Sequence, residues 1–146
     1  MRYNENRSSN DYYFRGGYMK YSKQREIILK VVKESMDHPN AEVIYEKVKQ
    51  EIPNISLGTV YRNLNHLADY GLIARISIPG DCDRFDHTIR DHAHFHCIEC
   101  HKVEDIPVNY ISDLKNKVKE NTKNEILSYN LVFTGICKDC NRKKDE

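Results

Sequence analysis

The chain has 146 residues, of which 39% are hydrophobic and 31% charged, with a formal net charge of +1. That balance suits one or two small soluble domains of modest core volume, and no apolar run approaches the roughly 20 residues that cross a bilayer. Met1 is not followed by a basic start and an apolar stretch, so neither export nor membrane insertion is expected, and the thiols belong in a reducing cytoplasm.

Residues 1–18 are polar and tyrosine-rich, carry Arg15-Gly16-Gly17 and show no periodicity, which predicts a flexible arm; Met19 is an alternative start. From Ser22 the pattern becomes helical. Ile27, Ile28, Val31 and Val32 fall on one face of a first helix. A second helix is predicted from near Asn40, with Val43, Ile44 and Val48 inward, ending before Pro53. Ser56 reads as the N-cap of a third, in which Val60, Leu64 and Leu67 face the core and Gly71 ends the run. Residues 72–78 then read as a strand, Pro79-Gly80-Asp81 as a turn, and Arg84-Phe85-Asp86 as a return strand.

Three short helices followed by a hairpin describe a winged helix-turn-helix over residues 19–82, whose third helix enters a DNA major groove. The outward face of that helix offers Thr59, Tyr61, Arg62 and Asn63 as DNA contacts. A solvated polar face is the competing reading of the same residues. Residues 1–80 hold 12 Lys and Arg against 9 Asp and Glu, while residues 81–146 hold 11 against 13, a weak bias of nucleic acid toward the N-terminal half.

Residues 83–91 are expected to be a linker and 92–146 a small α/β dimerisation domain, which makes the whole an α+β protein. His92 to Cys97 suits a strand, Ile111, Leu114 and Val118 one face of a helix, and Leu127, Tyr129, Leu131 and Phe133 one face of another strand. Apolar surface left over in so small a domain predicts a homodimer.

Two Cys-x-x-Cys knuckles, Cys97 with Cys100 and Cys137 with Cys140, bracket this domain. Each can turn two thiolates inward from one tight loop, so together they supply the four corners of a closed structural Zn²⁺ site. Redox chemistry is disfavoured because residues 126–136, leading into the second knuckle, read as a strand. Cys82 is left over in a polar turn, where acidic neighbours disfavour its thiolate. His92 and His94 point from the same side of a strand, as does His96. With Asp86 upstream, Asp105 downstream and His38 before Pro39, a mixed nitrogen and oxygen set suited to Fe²⁺ or Mn²⁺ is available.

The stretches Gln24-Arg25, His38-Pro39, Ser56 through Leu64, Asp83-Arg84-Phe85-Asp86, His92-x-His94-x-x-Cys97-x-x-Cys100 and Cys137-x-x-Cys140 resemble the ferric uptake regulator family, in the same order from about residue 20 to residue 141. More narrowly, they resemble its peroxide-sensing branch. The resemblance implies structural zinc on Cys97, Cys100, Cys137 and Cys140, and a regulatory Fe²⁺ or Mn²⁺ on His38, Asp86, His92, His94 and Asp105, one of each per subunit. It also implies a repressor of operator DNA, with Tyr61 and Arg62 as foremost contacts, whose histidine ligands His38 or His92 are oxidised when iron meets hydrogen peroxide. Asp86, where the family's iron regulators usually carry glutamate, favours peroxide sensing over an iron- or manganese-responsive repressor. His101 replaces a usual glycine, and His96 and Cys82 are additional potential ligands, so that His96 or His101 can alter metal choice; Ala93 and Tyr129 stand where relatives with a further metal site carry ligands, so that third site is not expected. A metal-dependent hydrolase and a zinc scaffold without DNA binding are the remaining alternatives; the expectation is a regulator with no organic substrate, not an enzyme.

Overall fold

The computed structural model describes residues 12–14, 17–89, 92–107 and 113–144, with side chains described from Met19 onward. The chain divides into two compact units: Met1–Arg75 with Asp83–Ile89, and Ile76–Cys82 with Arg90–Glu146. This differs from a boundary at residue 82 and a linker over 83–91. Ile76 and Ile78 bury against Val103 of the second unit, whereas Phe85 is buried among the helices of the first.

In the first unit, β1 (Tyr12–Phe14) and β2 (Gly17–Met19) pair antiparallel, with Tyr12 opposite Met19. This departs from the featureless arm expected over 1–18: aromatic residues favour strands, and Met19, only 5% exposed, is held in the helical core. α1 (Lys23–Glu34) starts at Ser22, whose side chain accepts from the Arg25 N–H. α2 (Ala41–Val48) starts at Asn40, which accepts from Val43 N at 2.9 Å. α3 (Leu57–Asp69) starts at Ser56, which accepts from Thr59 N at 3.1 Å. Each such cap satisfies an otherwise orphaned amide, a contribution of about 1 kcal/mol. α3 ends in a Schellman turn: Gly71 has φ 73°, its N–H donates to Ala68 O, and the Leu72 N–H donates to Leu67 O, both at 2.9 Å.

Ile28, Val32, Ile44, Val48, Val60, Leu64 and Leu67 are fully buried where the three helices meet, each such side chain stabilising by about 1.5–3 kcal/mol on an area basis. Val43 was expected inward and is instead 41% exposed, because the buried stripe of α2 runs through Ala41, Ile44 and Val48. β3 (Ala74–Ile76) and β4 (Arg84–Asp86) form a two-stranded sheet, the wing, shorter than the strand expected over 72–78. Three helices and a two-stranded wing make a winged helix-turn-helix.

In the second unit, β5 (Ala93–Cys97) is the central strand of three. β6 (Val103–Ile106) pairs with it antiparallel, placing Asp105 opposite His94, and β7 (Leu131–Gly135) pairs parallel, placing Thr134 opposite His96. A β-carbon on Gly135 would stand 3.2 Å from the Phe95 ring, so these two strands pack closely. α4 (Leu114–Thr122) follows, and α5 (Lys138–Lys144) carries Cys140. Ile111 lies outside the described residues. Leu127 is 81% exposed and outside β7, so the strand expected over 126–136 is shorter. Among the described residues, no helix is long and apolar enough to cross a membrane.

Candidate metal centres and nucleic-acid interface

The four knuckle cysteines converge within the second unit, with their sulfurs within 4.8 Å of one another. Cys97 ends β5, Cys100 closes the tight turn that follows it, Cys137 lies between β7 and α5, and Cys140 lies within α5. Backbone bonds from Ile98 N to Gly135 O at 2.9 Å and from Cys97 N to Lys102 O at 3.0 Å hold the knuckles together. All four thiols are free. The Cys100 and Cys137 sulfurs are 3.8 Å apart, far beyond a disulfide bond, but matching the ~3.8 Å tetrahedral edge set by Zn–S bonds of about 2.3 Å.

The electrostatics also ask for a cation. Cys97 is lowered from 9.0 to about 6 by backbone N–H donors at Cys100 and Cys137, the latter 3.3 Å from its sulfur. Cys140 is pushed up to about 12, first by its hydrogen bond to Cys137 and then by burial. The Cys97 thiolate is thus favoured while Cys140 resists a second negative charge; a divalent ion removes that conflict. The residues fit zinc.

Each unit holds its own share of the imidazoles and carboxylates. In the first, the Phe85 N–H donates to Pro39 O at 3.0 Å, which sets β4 beside the joint between α1 and α2. His38 Nε2 then lies 3.4 Å from Asp86 Oδ2, with side-chain exposures of only 8% and 3%. Asp86 Oδ1 accepts from Thr88 N at 2.9 Å, fixing the carboxylate's orientation. In the second, Asp105 Oδ1 sits 3.1 Å from His92 Nε2 and 3.3 Å from His94 Nε2. The two rings are 4.3 Å apart between centroids, and both are buried. A carboxylate between two sheltered imidazoles is an N/O donor set that suits Fe²⁺, Mn²⁺ or Zn²⁺.

A third donor group, Asp81 with His96 and His101, is gathered by the fold in the second unit. No sequence spacing signals Asp81, because a turn distant in sequence delivers it.

On α3, Tyr61 and Arg62 are exposed and Thr59 is partly exposed, with its hydroxyl 2.9 Å from Ser56 Oγ and accepting from Arg62 Nη2 at 3.3 Å. Asn63 corrects the expectation of an outward contact. It is 8% exposed, donates from Nδ2 to Thr59 O at 2.9 Å and accepts from Arg25 Nε at 3.2 Å. It joins α3 to α1, being three residues from Val60 on the buried side of the helix.

Helices, wing and cysteine cluster together define a winged-helix protein whose second domain holds a donor set suited to a metal. The sequence pattern of the ferric uptake regulator family matches residues 17–134. The chain belongs to that family of metal-responsive repressors. It is 29% identical over 120 residues to the peroxide-responsive repressor PerR of Staphylococcus aureus, covering 82% of this chain and 81% of the relative. The Helicobacter pylori ferric uptake regulator Fur superposes with a TM-score of 0.73 at 27% identity, covering 84% of this chain and 83% of its own. The Campylobacter jejuni peroxide stress regulator superposes with a TM-score of 0.70 at 29% identity, covering 80% and 88%.

Proposed function

We propose that this protein is a homodimeric repressor that binds operator DNA when a regulatory Fe²⁺ or Mn²⁺ joins its two units, and that it senses hydrogen peroxide through its own histidine ligands. The observation carrying this reading is the divided donor set: His38 with Asp86 in one unit, and His92 and His94 with Asp105 in the other. Neither half alone offers enough ligands for a six-coordinate ion, and an ion shared by both favours one orientation of the helical unit. In a dimer, that orientation sets the separation of two α3 helices, whose Tyr61 and Arg62 would meet bases and phosphates. Zinc on Cys97, Cys100, Cys137 and Cys140 stabilises the second unit. Exposed Leu114, Val118, Phe133 and Ile136 supply apolar surface for the dimer.

Fe²⁺ held by these residues would activate hydrogen peroxide; in the net reaction one peroxide oxygen would replace hydrogen on a ring carbon of a ligating imidazole, the ring losing two electrons and the other oxygen leaving as water. His38 and His92 are the sheltered rings that would take up the oxygen. Once oxygenated, either ring is a poorer donor, its unit loses a tie, and α3 is no longer held for the operator. The short carboxylate of Asp86 and the likeness to PerR support peroxide over iron as the signal.

The test is operator affinity of zinc-loaded protein with Fe²⁺ and with Mn²⁺, before and after peroxide, with mass spectrometry of the histidine peptides. Loss of binding with iron only, with added oxygen on His38 or His92, is expected. Metal-dependent binding that survives peroxide would establish an iron- or manganese-responsive repressor instead.

A further inference from the structure

The group at Asp81, His96 and His101 belongs to neither donor set above. His96 projects from β5, is 3% exposed, and presents Nε2 3.0 Å from Asp81 Oδ2. His101, just after the first cysteine knuckle, presents Nδ1 3.2 Å from the same oxygen. The three donor atoms lie within 4.8 Å of one another, and the two rings are 6.0 Å apart between centroids.

We infer that Asp81, His96 and His101 form a third cation site, selective for a first-row divalent ion and best suited to Zn²⁺, which fastens the turn between the wing strands to the metal-bearing sheet.

Two costs are borne at this point in the fold, and both converge on it. His96 is buried with its Nδ1 lacking a hydrogen-bond partner among the described residues, a cost to the ring, so its hydrogen bond to the fold is made through Nε2 alone, toward Asp81. His101 adopts φ 61°, the left-handed region natural to glycine, where its N–H donates to Cys97 O at 2.9 Å to close the knuckle. That strained turn aims an imidazole at the carboxylate. Asp81 is prepared as well: its Oδ1 accepts from Cys82 N at 2.7 Å and from the Cys82 thiol at 3.3 Å, leaving Oδ2 toward the two rings. Such outer contacts orient a ligating carboxylate.

The distances allow an ion. Ligands about 2.1 Å from a metal stand about 3.0 Å apart in an octahedron and about 3.4 Å apart in a tetrahedron, which bracket the two nitrogen–oxygen separations here. Two neutral imidazoles and one carboxylate are a donor set for a borderline cation, with remaining positions open to water. Ile76 and Ile78 already pack the same segment against Val103, and an ion at Asp81 would pin its tip to β5 and to the cysteine knuckle at once.

Cobalt titration of protein loaded with zinc on its cysteines tests the site. Asp81, His96 and His101 predict an equivalent of Co²⁺ with weak visible bands and no thiolate charge transfer. His101→Gly keeps a residue suited to the left-handed backbone, so it folds, and it is expected to lose that equivalent or weaken it by at least about 10-fold. Asp81→Asn is expected to do the same. Asp105→Ala leaves this equivalent in place while removing the one assigned to His92 and His94, so the two assignments fail separately. Titration of either His101→Gly or Asp81→Asn indistinguishable from the unaltered protein would overturn the third site.

Discussion

The main-chain N–H of Phe85 donates to the carbonyl of Pro39 at 3.0 Å, and this one bond brings together the residues flanking it, His38 and Asp86, 3.4 Å apart. A wing strand and a helix joint remote in sequence thus bring together one half of the proposed ligand set. His38→Ala should leave zinc on the four cysteines and weaken regulatory metal binding by about 10- to 100-fold or more. Operator affinity measured against Mn²⁺ concentration checks this; an unchanged curve removes His38 from the switch.

Cys137→Ser should weaken zinc binding strongly and destabilise the second unit, since bound zinc contributes on the order of 10 kcal/mol to small zinc-dependent folds. Metal analysis with thermal unfolding decides it. Zinc retained in full with unchanged unfolding would refute the assignment.

The thiol acidities give the pH dependence of zinc binding a direction. Affinity rises with pH wherever a ligand must lose a proton on binding. With its acidity raised to about 6, Cys97 is already a thiolate at neutral pH and adds little slope there. Cys140, pushed up to about 12, gives up a proton throughout. Cys140→Ser should therefore flatten the rise by about one decade of affinity per pH unit between about pH 7 and 9, whereas Cys97→Ser should lower affinity with the slope preserved. Competition with a chelating indicator would reveal the opposite assignment if Cys97→Ser flattened the curve.

Asn63 and its neighbours separate fold from recognition. Asn63→Ala removes bonds to Thr59 and Arg25 and should cost about 1–3 kcal/mol of stability. Arg62→Ala should leave stability within about 0.5 kcal/mol and reduce operator affinity, with a shallower salt dependence if it meets a phosphate. Denaturant unfolding beside salt-dependent DNA titration tests both; a destabilised Arg62→Ala with normal DNA affinity would reverse the roles.

Gly71→Ala isolates a backbone effect. A β-carbon there meets nothing within 4 Å, so the expected loss of about 1 kcal/mol comes from φ 73° alone. A midpoint shift in urea without a change of slope is the signature.

The helix starts were legible because caps and stripes are local: Ser22, Asn40 and Ser56 each sit before an apolar face and each accepts the expected amide. The cysteine cluster was legible for the same reason, since two knuckles announce their own geometry. What escaped was decided by tertiary neighbours. Val43 lies one step off the buried stripe of α2, and Asn63, polar and adjacent to Arg62, is turned inward by Arg25. The segment 76–82 follows its isoleucines into the second unit rather than its place in the chain. Asp81 meets His96 only because that segment does so.

The strand from Ala93 to Cys97 carries two chemistries on alternate sides, with His94 and His96 facing one way and Cys97 the other. Exchange of a single side chain can retune one centre and leave the others standing. Insertion or loss of one residue would invert the strand's parity and present sulfur where nitrogen is needed and nitrogen where sulfur is needed. A change in its length would therefore disturb every centre it serves at once, where exchange of one ligand would disturb only its own.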